Sequence, residues 1–531
     1  MKIIKISLII FGILVATSCS NSFLDTEPIN LVTDSNFYKT KADAEMALVG
    51  CYDGLQLLYS SGGVAFPIAS EVFSDNCFGG VGNNDGYNYQ VIDEFDINRS
   101  SGEVNIFDAN WIAYYKAIFR VNTLLSKMEQ IDWEGDEAYK NSVEAQARFI
   151  RAYCYFDMTR LWEKVPLLTE PLNANIPQSE ADDIYTVIAE DLKFAAENGS
   201  EAVEAGRVNK WVAKAYLARV FLFYTGYYGQ SELVGGISKS DVLNGLEEVI
   251  SAGGYSLIEE YKNLWPAAST SINEAGDALE TTYAGKDNAE TLFAIKYNIT
   301  SNWDGVVDSN HWLVMLGLRA QSFSPYGRGW GGGTVSAKLY EAYEPDDTRK
   351  EASIIAIEEE GLDFDNSDQR EYTGYTFKKY TTLANPDGQD VSEANGGVSF
   401  QISQFQDYVV MRYADVLLMA AELGSANAQT YFDEVRARAG LAPVALSVDN
   451  IMKERRVEFA LEGIRYWDLL RQGVGVAAAA IDEQTRVLNG GVEATKSILG
   501  SNITKTRGLQ QIPQNQITRS DGVLKQNAGW E

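Results

Sequence analysis

Apolar stripes at helical spacing recur along this chain with short turns between them, and that pattern restricts the fold more than any other feature. In 143–164, Phe149, Ala152, Tyr153, Phe156 and Leu161 fall on one helical face, and Pro166 stops the run. Ile184, Val187, Ile188, Leu192 and Ala195 form a second stripe, with Ser179 three residues before Asp182 in capping-box spacing. Trp211, Val212, Ala215, Tyr216, Arg219 and Leu222 form a third, for which Gly226 is the expected C-cap. Tyr413, Val416, Leu417, Ala420 and Ala421 make a fourth, ending near Gly424, and Tyr431, Phe432 and Val435 a fifth, ending near Gly440. Ile451, Arg455, Glu458, Phe459 and Glu462 open a last long helix expected to stop near Gly473. Helices joined by short turns pack as antiparallel hairpins. Small residues beside bulky aromatics, as in Ala215–Tyr216, suit tetratricopeptide packing, although no exact 34-residue period is present. The expected fold class is therefore mainly α, a tetratricopeptide-like helix-hairpin scaffold.

The remaining territory divides around these helices. Helical patterning covers about 35–226 and 405–472, a segment of about 227–400 is irregular and rich in Gly, Asn, Asp and aromatics, and 473–531 is mixed. The irregular segment reads as a large loop-rich insertion in one body spanning 19–531.

Charge and composition exclude several functions. Of 531 residues, 44 are Lys or Arg and 74 are Asp or Glu, a formal net charge of −30 that repels phosphate backbones, so no nucleic-acid partner is expected. His311 is the one histidine, which rules out multi-histidine metal sites and an HExxH motif. Cys19, Cys51, Cys77 and Cys154 include no CxxC pair, so zinc ribbons and thioredoxin-type chemistry are absent. Gly329–Gly333 lacks the lysine and hydroxyl residue of a phosphate-binding loop. No cofactor is expected. Calcium is the one ion the Asp- and Asn-rich loops would suit as oxygen ligands, but no DxDxDG loop occurs.

Residues 1–18, MKIIKISLIIFGILVATS, read as an export signal: Lys2 and Lys5, then an apolar run from Ile6 to Ala16 too short to span a bilayer. Small residues Ala16, Thr17 and Ser18 lead directly to Cys19, the pattern of a lipoprotein signal whose cysteine becomes the lipidated first residue. Acyl chains there would anchor the protein to a membrane.

The order of short blocks resembles the SusD/RagB-like surface lipoproteins of Gram-negative outer membranes. FLDTEP (23–28) follows the cysteine, then FYKTKADAEMALVGCYDGL (37–55), SEVFSDN (70–76), WIAYYKAIFRVNTLL (111–125), EAQARFIRAYCYFDM (144–158) and VPLL (165–168). IYTVIAEDLKFA (184–195), GRVNKWVAKAYLARVFLF (206–223), YVVMRYADVLLMAAE (408–422), ERRVEFALEGIRYWDLLR (454–471), LQQIPQNQI (509–517) and LKQNAGW (524–530) complete the series. One departure is Trp162-Glu163-Lys164, where the family usually has a glycine before VPL. The resemblance implies a single helical body that captures a nutrient, usually an oligosaccharide, and acts as a hinged lid on a SusC-like TonB-dependent transporter. It implies no catalysis.

A sugar offers flat C–H faces and hydroxyls, so its site needs aromatic platforms in loops with a few fixed polar groups. Residues 298–333 hold three of the ten tryptophans. Trp303 and Trp330 are the leading stacking candidates, with Tyr326 and Arg328 close in sequence and Trp312 a weaker candidate inside HWLVML. The stretch 74–90 is the second candidate, which the family places near the ligand. Its Asp75, Asn76, Asn83, Asn84, Asp85, Tyr87 and Tyr89 would offer hydroxyl partners and another ring. His311 reads as structural. Arg148, Arg151, Arg455, Arg456, Glu458, Glu462 and Arg465 read as networks locking helices, and Asp346-Asp347 and Glu358-Glu359-Glu360 as solvated. The competing functions are a surface glycoside hydrolase, which would need a carboxylate pair, and capture of a non-glycan nutrient such as peptide.

Overall fold

The computed structural model describes residues 37–60, 66–100 and 104–531; the export signal, Cys19 and the FLDTEP block lie outside the described residues. Helices in chain order are α1 (Lys41–Ser60), α2 (Phe66–Val72), α3 (Asp108–Lys127), α4 (Glu137–Trp162), α5 (Ala181–Asn198), α6 (Lys210–Tyr228) and α7 (Lys239–Ala252). After the insertion come α8 (Tyr413–Glu422), α9 (Ala428–Arg438), α10 (Val448–Glu458), α11 (Arg465–Arg471), α12 (Val474–Ile481) and α13 (Gly500–Thr506). Short strands pair in twos: β1 (Cys77–Gly80) with β3 (Gly332–Val335), β2 (Thr291–Ile295) with β4 (Tyr408–Arg412), and β5 (Glu483–Asn489) with β6 (Val492–Ile498), all antiparallel. The mainly helical class expected from the stripes is the one observed.

The helix α4 is the central rod, touching α1, α3 and α5. Nearly every side chain from Ser142 to Trp162 is buried, as befits a helix enclosed on all sides. Its polar groups therefore need partners. Asp157 accepts hydrogen bonds from Tyr59 and Tyr114, both at 2.9 Å, and pairs with Arg160. One continuous apolar core runs from Ala44 on α1 to Trp530 at the other end of the chain. There the terminal segment folds back, and Trp162 donates its indole N–H to the Gln511 carbonyl at 3.1 Å.

Several boundaries differ from those read in the sequence, each for a local reason. The irregular region begins after α7, not at 227: Ser238 caps that helix in a full capping box with Asp241. Ser179 does not cap α5, which starts behind Glu180 with no side-chain cap. Gly226 lies inside α6, because a Cβ there would meet the Arg471 carbonyl oxygen at 2.2 Å; Gly229, left-handed at φ +66°, is the actual cap. The long last helix is broken between α10 and α11 where α2 crosses: the Gly463 N–H (φ +80°) donates to Glu71 Oε1 at 2.7 Å, and a Cβ would press on Pro67. Residues 408–412 are strand β4, and 483–498 form a hairpin where no strand had been expected.

The arginine and carboxylate residues that looked like helix locks are locks. Arg151 holds Asp191 with two 2.8 Å bonds between α4 and α5. Asp415 on α8 joins Arg455 and Arg219, both at 2.6 Å, and Glu458 meets Arg412 at 2.9 Å and Arg349 at 3.1 Å. Asp347 belongs with them: it is buried and bonded to Arg349 at 2.8 Å, a correction to its expected solvation. Cys51, Cys77 and Cys154 are buried and unpaired; burial pushes the Cys51 thiol up to about 12. Among the described residues no helix is long and apolar enough to cross a membrane.

Candidate binding face

Eight of the ten tryptophans are buried, and the two that are not are Trp303 and Trp330. Trp303 is 65% exposed at the tip of a small loop. The Asn302 side chain closes that loop, its Oδ1 accepting from the Asp304 and Val306 N–H groups at 2.9 and 3.2 Å. An indole held out by a braced loop contributes nothing to the core, so it is available to a partner.

Trp330 is half-buried and fixed from its backbone, donating its N–H to the Val314 carbonyl at 2.7 Å. Its ring meets His311 edge-to-face at 5.5 Å, while His311 Nδ1 lies 2.8 Å from the Gln401 carbonyl. Nearby in the chain, Arg328 is exposed and lays its guanidinium 4.1 Å over the Phe400 ring. The glycines around Trp330 are there for close approach. Gly331 is left-handed at φ +73°, and a Cβ on it would meet Gln369 Oε1 at 2.3 Å.

The two candidate stretches, far apart in sequence, meet through the β1–β3 ladder. Cys77 pairs with Val335 and Gly80 with Gly332, and the Val81 N–H donates to the Gly331 carbonyl at 2.9 Å. Beyond Gly80 the chain forms a braced loop. Arg319 reaches Asp85 and Asp368, each at 2.9 Å, and also the Trp330 carbonyl at 3.4 Å. Asn83 is tied to Asp368 and Ser367 at 3.1 and 2.7 Å. This leaves Asn84 and Tyr87 exposed at the loop surface, Tyr87 by 48%. At the loop roots, the buried Lys496 of β6 donates to the Gln90 carbonyl at 2.7 Å and pairs with Asp93 and Glu371, both at 2.9 Å; Glu371 in turn accepts the Gly80 N–H at 3.1 Å.

Five residues expected at the site are instead committed to the interior. Asp75 is gripped by Arg465 at 2.8 Å and Arg456 at 3.0 Å; burial alone would raise its pKa, but the two guanidiniums hold it below the usual carboxylate range. Asn76 is fully buried, donating to Glu71 at 2.9 Å and accepting from Arg456 at 3.2 Å. Trp312 packs in the core against Tyr380 at 5.0 Å and Tyr408 at 5.7 Å. Tyr326 is buried with its hydroxyl donated to Glu360 at 2.7 Å, and Tyr89 is buried beneath Gly79. Asn83 and Asp85 act as braces. The sequence reading missed Phe400 and Gln401. Their one signal was an aromatic following glycines in Gly396-Gly397-Val398-Ser399-Phe400, and nothing local tied them to Trp330. Among the described residues no group of three or more His, Cys, Asp or Glu side chains is placed to hold a metal ion.

A family model described as "SusD family" matches residues 363–530, and one described as "Starch-binding associating with outer membrane" matches 33–222. The chain belongs to the SusD/RagB-like family. A SusD-like protein of Bacteroides ovatus is 26% identical over 489 residues, covering 88% of this chain and 82% of the relative. SusD-like protein P2 of Formosa agariphila is 26% identical over 513 residues, 90% and 92% of the two chains. Among solved structures, a "Laminarin binding SusD-like protein" superposes with a TM-score of 0.71 at 28% identity, covering 92% of this chain and 99% of that one. The SusD-like helical fold is shared further with surface glycan-binding protein A of Bacteroides thetaiotaomicron, at TM-score 0.74 and 22% identity over 93% of this chain and all of that one.

Proposed function

We propose that this SusD-like chain is a cell-surface glycan-binding protein that stacks sugar rings on Trp303 and Trp330 and delivers oligosaccharide to a SusC-like TonB-dependent outer-membrane transporter, acting as its lid and anchored through lipid on Cys19. The observation that carries the reading is that Trp303 and Trp330, from one stretch of the chain, are the two tryptophans outside the core, and that the β1–β3 ladder joins the Trp330 end of that stretch to the exposed Tyr87 and Asn84 loop. Similarity to a laminarin-binding SusD-like protein supports a glucan as the first class to try. A binding role is favoured over hydrolysis because three carboxylates near Trp330 are engaged in ion pairs: Asp85 and Asp368 share Arg319, and Glu371 is held by Lys496. A glycosidase needs two carboxyl groups free to exchange protons and attack.

The test is a binding screen of the chain from residue 20 onward against neutral polysaccharides including laminarin, with the double variant Trp303→Ala/Trp330→Ala alongside. Binding to one class that the double variant loses is the expected result. Failure of every glycan to bind, or equal binding by the double variant, would overturn the reading, and release of reducing ends from any polysaccharide would replace it with the hydrolase.

A further inference from the structure

A hollow of about 870 Å³ runs along α3 and shares no residue with the candidate binding face. Ile112, Tyr115 and Phe119 of α3, with Leu168, Leu172 and Ile176 of the stretch that follows α4, give it apolar walls. Phe119 and Leu172 are each 49% exposed. Single exposed apolar side chains are ordinary on a protein surface. Two that line one apolar hollow mark a surface without its partner. Main-chain groups are open there too. Among the described residues, the N–H and C=O groups of Asn173, Ala174 and Asn175 in the wall have no hydrogen-bond partner. An extended segment laid beside them would take them up, as strand addition does.

The charge of the hollow is opposite to that of the molecule. In a chain of formal net charge −30, it is lined by Lys116, Arg120 and Arg519 against one carboxylate, Glu170. Arg120 is taken by Asp53. Lys116 and Arg519 are exposed and make no ion pair among the described residues. The occupant that fits is therefore extended, apolar and acidic, and this chain carries one. Residues 20–36, SNSFLDTEPINLVTDSN, lie outside the described residues. They hold Phe23, Leu24, Ile29, Leu31 and Val32, the carboxylates Asp25, Glu27 and Asp34, and no Lys or Arg.

The reach is sufficient. α1 begins at Lys41 and lies against α3: Arg120 donates to the Gly50 carbonyl at 2.9 Å, and a Cβ on Gly54 would meet Ala117 at 3.1 Å. Gly50 is about 14 Å along α1 from its start, and Leu57, in the lining of the hollow, about 24 Å. The chain from Phe37 back to Phe23 spans about 46 Å when extended. Exposed Met46, one turn before Gly50 on the same α1 stripe, is an apolar step on the way.

We propose that this hollow is the seat of the chain's own leading segment, residues 23–32, with Asp25 and Glu27 meeting Lys116 and Arg519. The docking does not depend on what the protein binds. Seated, the segment leaves Ser20, Asn21 and Ser22 as the slack between Cys19 and the body, a strap that sets how far the body stands from its anchor; this consequence, not the docking, rests on the anchor proposed above. The chain from residue 20 onward is spin-labelled at Ser22→Cys and Thr518→Cys. Cys51, Cys77 and Cys154 are buried, so the labels go to the two new thiols. One narrow distance is expected between them. Lys116→Glu/Arg519→Glu broadens the distribution at least two-fold with the melting temperature unchanged, and adding Asp25→Lys/Glu27→Lys narrows it again. A broad distribution in the parent chain overturns the proposal, as does a narrow one that charge reversal leaves in place. Self-association in sedimentation that Phe119→Glu abolishes, with the label distance unchanged, would assign the hollow to a second copy and overturn it too.

Discussion

At the level of single residues, an aromatic side chain costs least where it is buried, so one left outside the core is informative. Trp330 touches the fold mainly through its backbone N–H and an edge contact to His311. Trp330→Ala is therefore expected to weaken glycan binding ten-fold or more, about 1.4 kcal/mol or above, with the thermal midpoint nearly unchanged; a large fall in midpoint with affinity retained would make the ring structural. Asp415 shows the opposite economy. Burial alone would raise its pKa, but Arg455 and Arg219 outweigh burial and hold it well below the ordinary carboxylate range. A depressed carboxylate stabilises the fold fully above its unfolded pKa of about 4, and that contribution is lost as pH falls below it. Asp415→Asn leaves the half-buried Arg219 with only the Val410 carbonyl and the buried Arg455 with only Asp468, at a cost of about 3 kcal/mol near pH 7. Urea midpoints of wild type and variant should converge as pH is lowered from 7 to 3, and parallel curves would contradict the assignment.

At the level of elements, two joints can be separated by experiment. After α4 the chain reverses at Glu163, which has φ +62° and ψ −61°, and the Lys164 N–H donates to the Trp162 carbonyl at 2.7 Å. This is a γ-turn, strained for any residue with a Cβ. Glu163 is held there by Arg507 through two bonds of 2.8 and 2.9 Å. Glu163→Ala keeps the strain and loses the pair. Glu163→Gly loses the pair but relieves the strain, so it should be the more stable variant by about 1 kcal/mol, read from denaturant midpoints. The second joint is Lys496, whose removal in Lys496→Met strands Asp93 and Glu371 and unfastens both roots of the Val81–Gln90 loop. Amide exchange across that loop should quicken ten-fold or more while α4 stays protected. Uniform loss of protection would make Lys496 a general stabiliser. The elements that were legible are those whose signal is local: the Phe149 and Trp211 stripes are helices because apolar spacing alone decides them. The β5–β6 hairpin carried a signal too, Asn489-Gly490-Gly491 between alternating residues, overlooked among charged neighbours. The break at Gly463 was not local at all, since it exists to admit α2.

At the level of the whole molecule, the family and the helical body were readable because block order along the full chain is a long signal. The proposed binding face was readable only in part. Exposure of Trp303 and Trp330 follows from loop context, whereas the burial of Asp75, Asn76, Trp312 and Tyr326 depends on partners far away in sequence, such as Arg465 for Asp75 and Glu360 for Tyr326. Anchoring is also a property of the whole chain. Cys19→Ala should move the protein from the membrane fraction to the soluble one, and retention after a high-salt wash would remove the lipid from the proposal.

The ladder between β1 and β3 also has a kinetic side. Cys77 and Val335 are expected to pair late, after the intervening helices have condensed, because closing so long a loop costs entropy before its contacts repay it. The platform should therefore be the last part of the protein to appear during refolding. Recovery of glycan affinity is expected to lag behind recovery of helical signal, so an incompletely matured chain would look folded while being unable to bind.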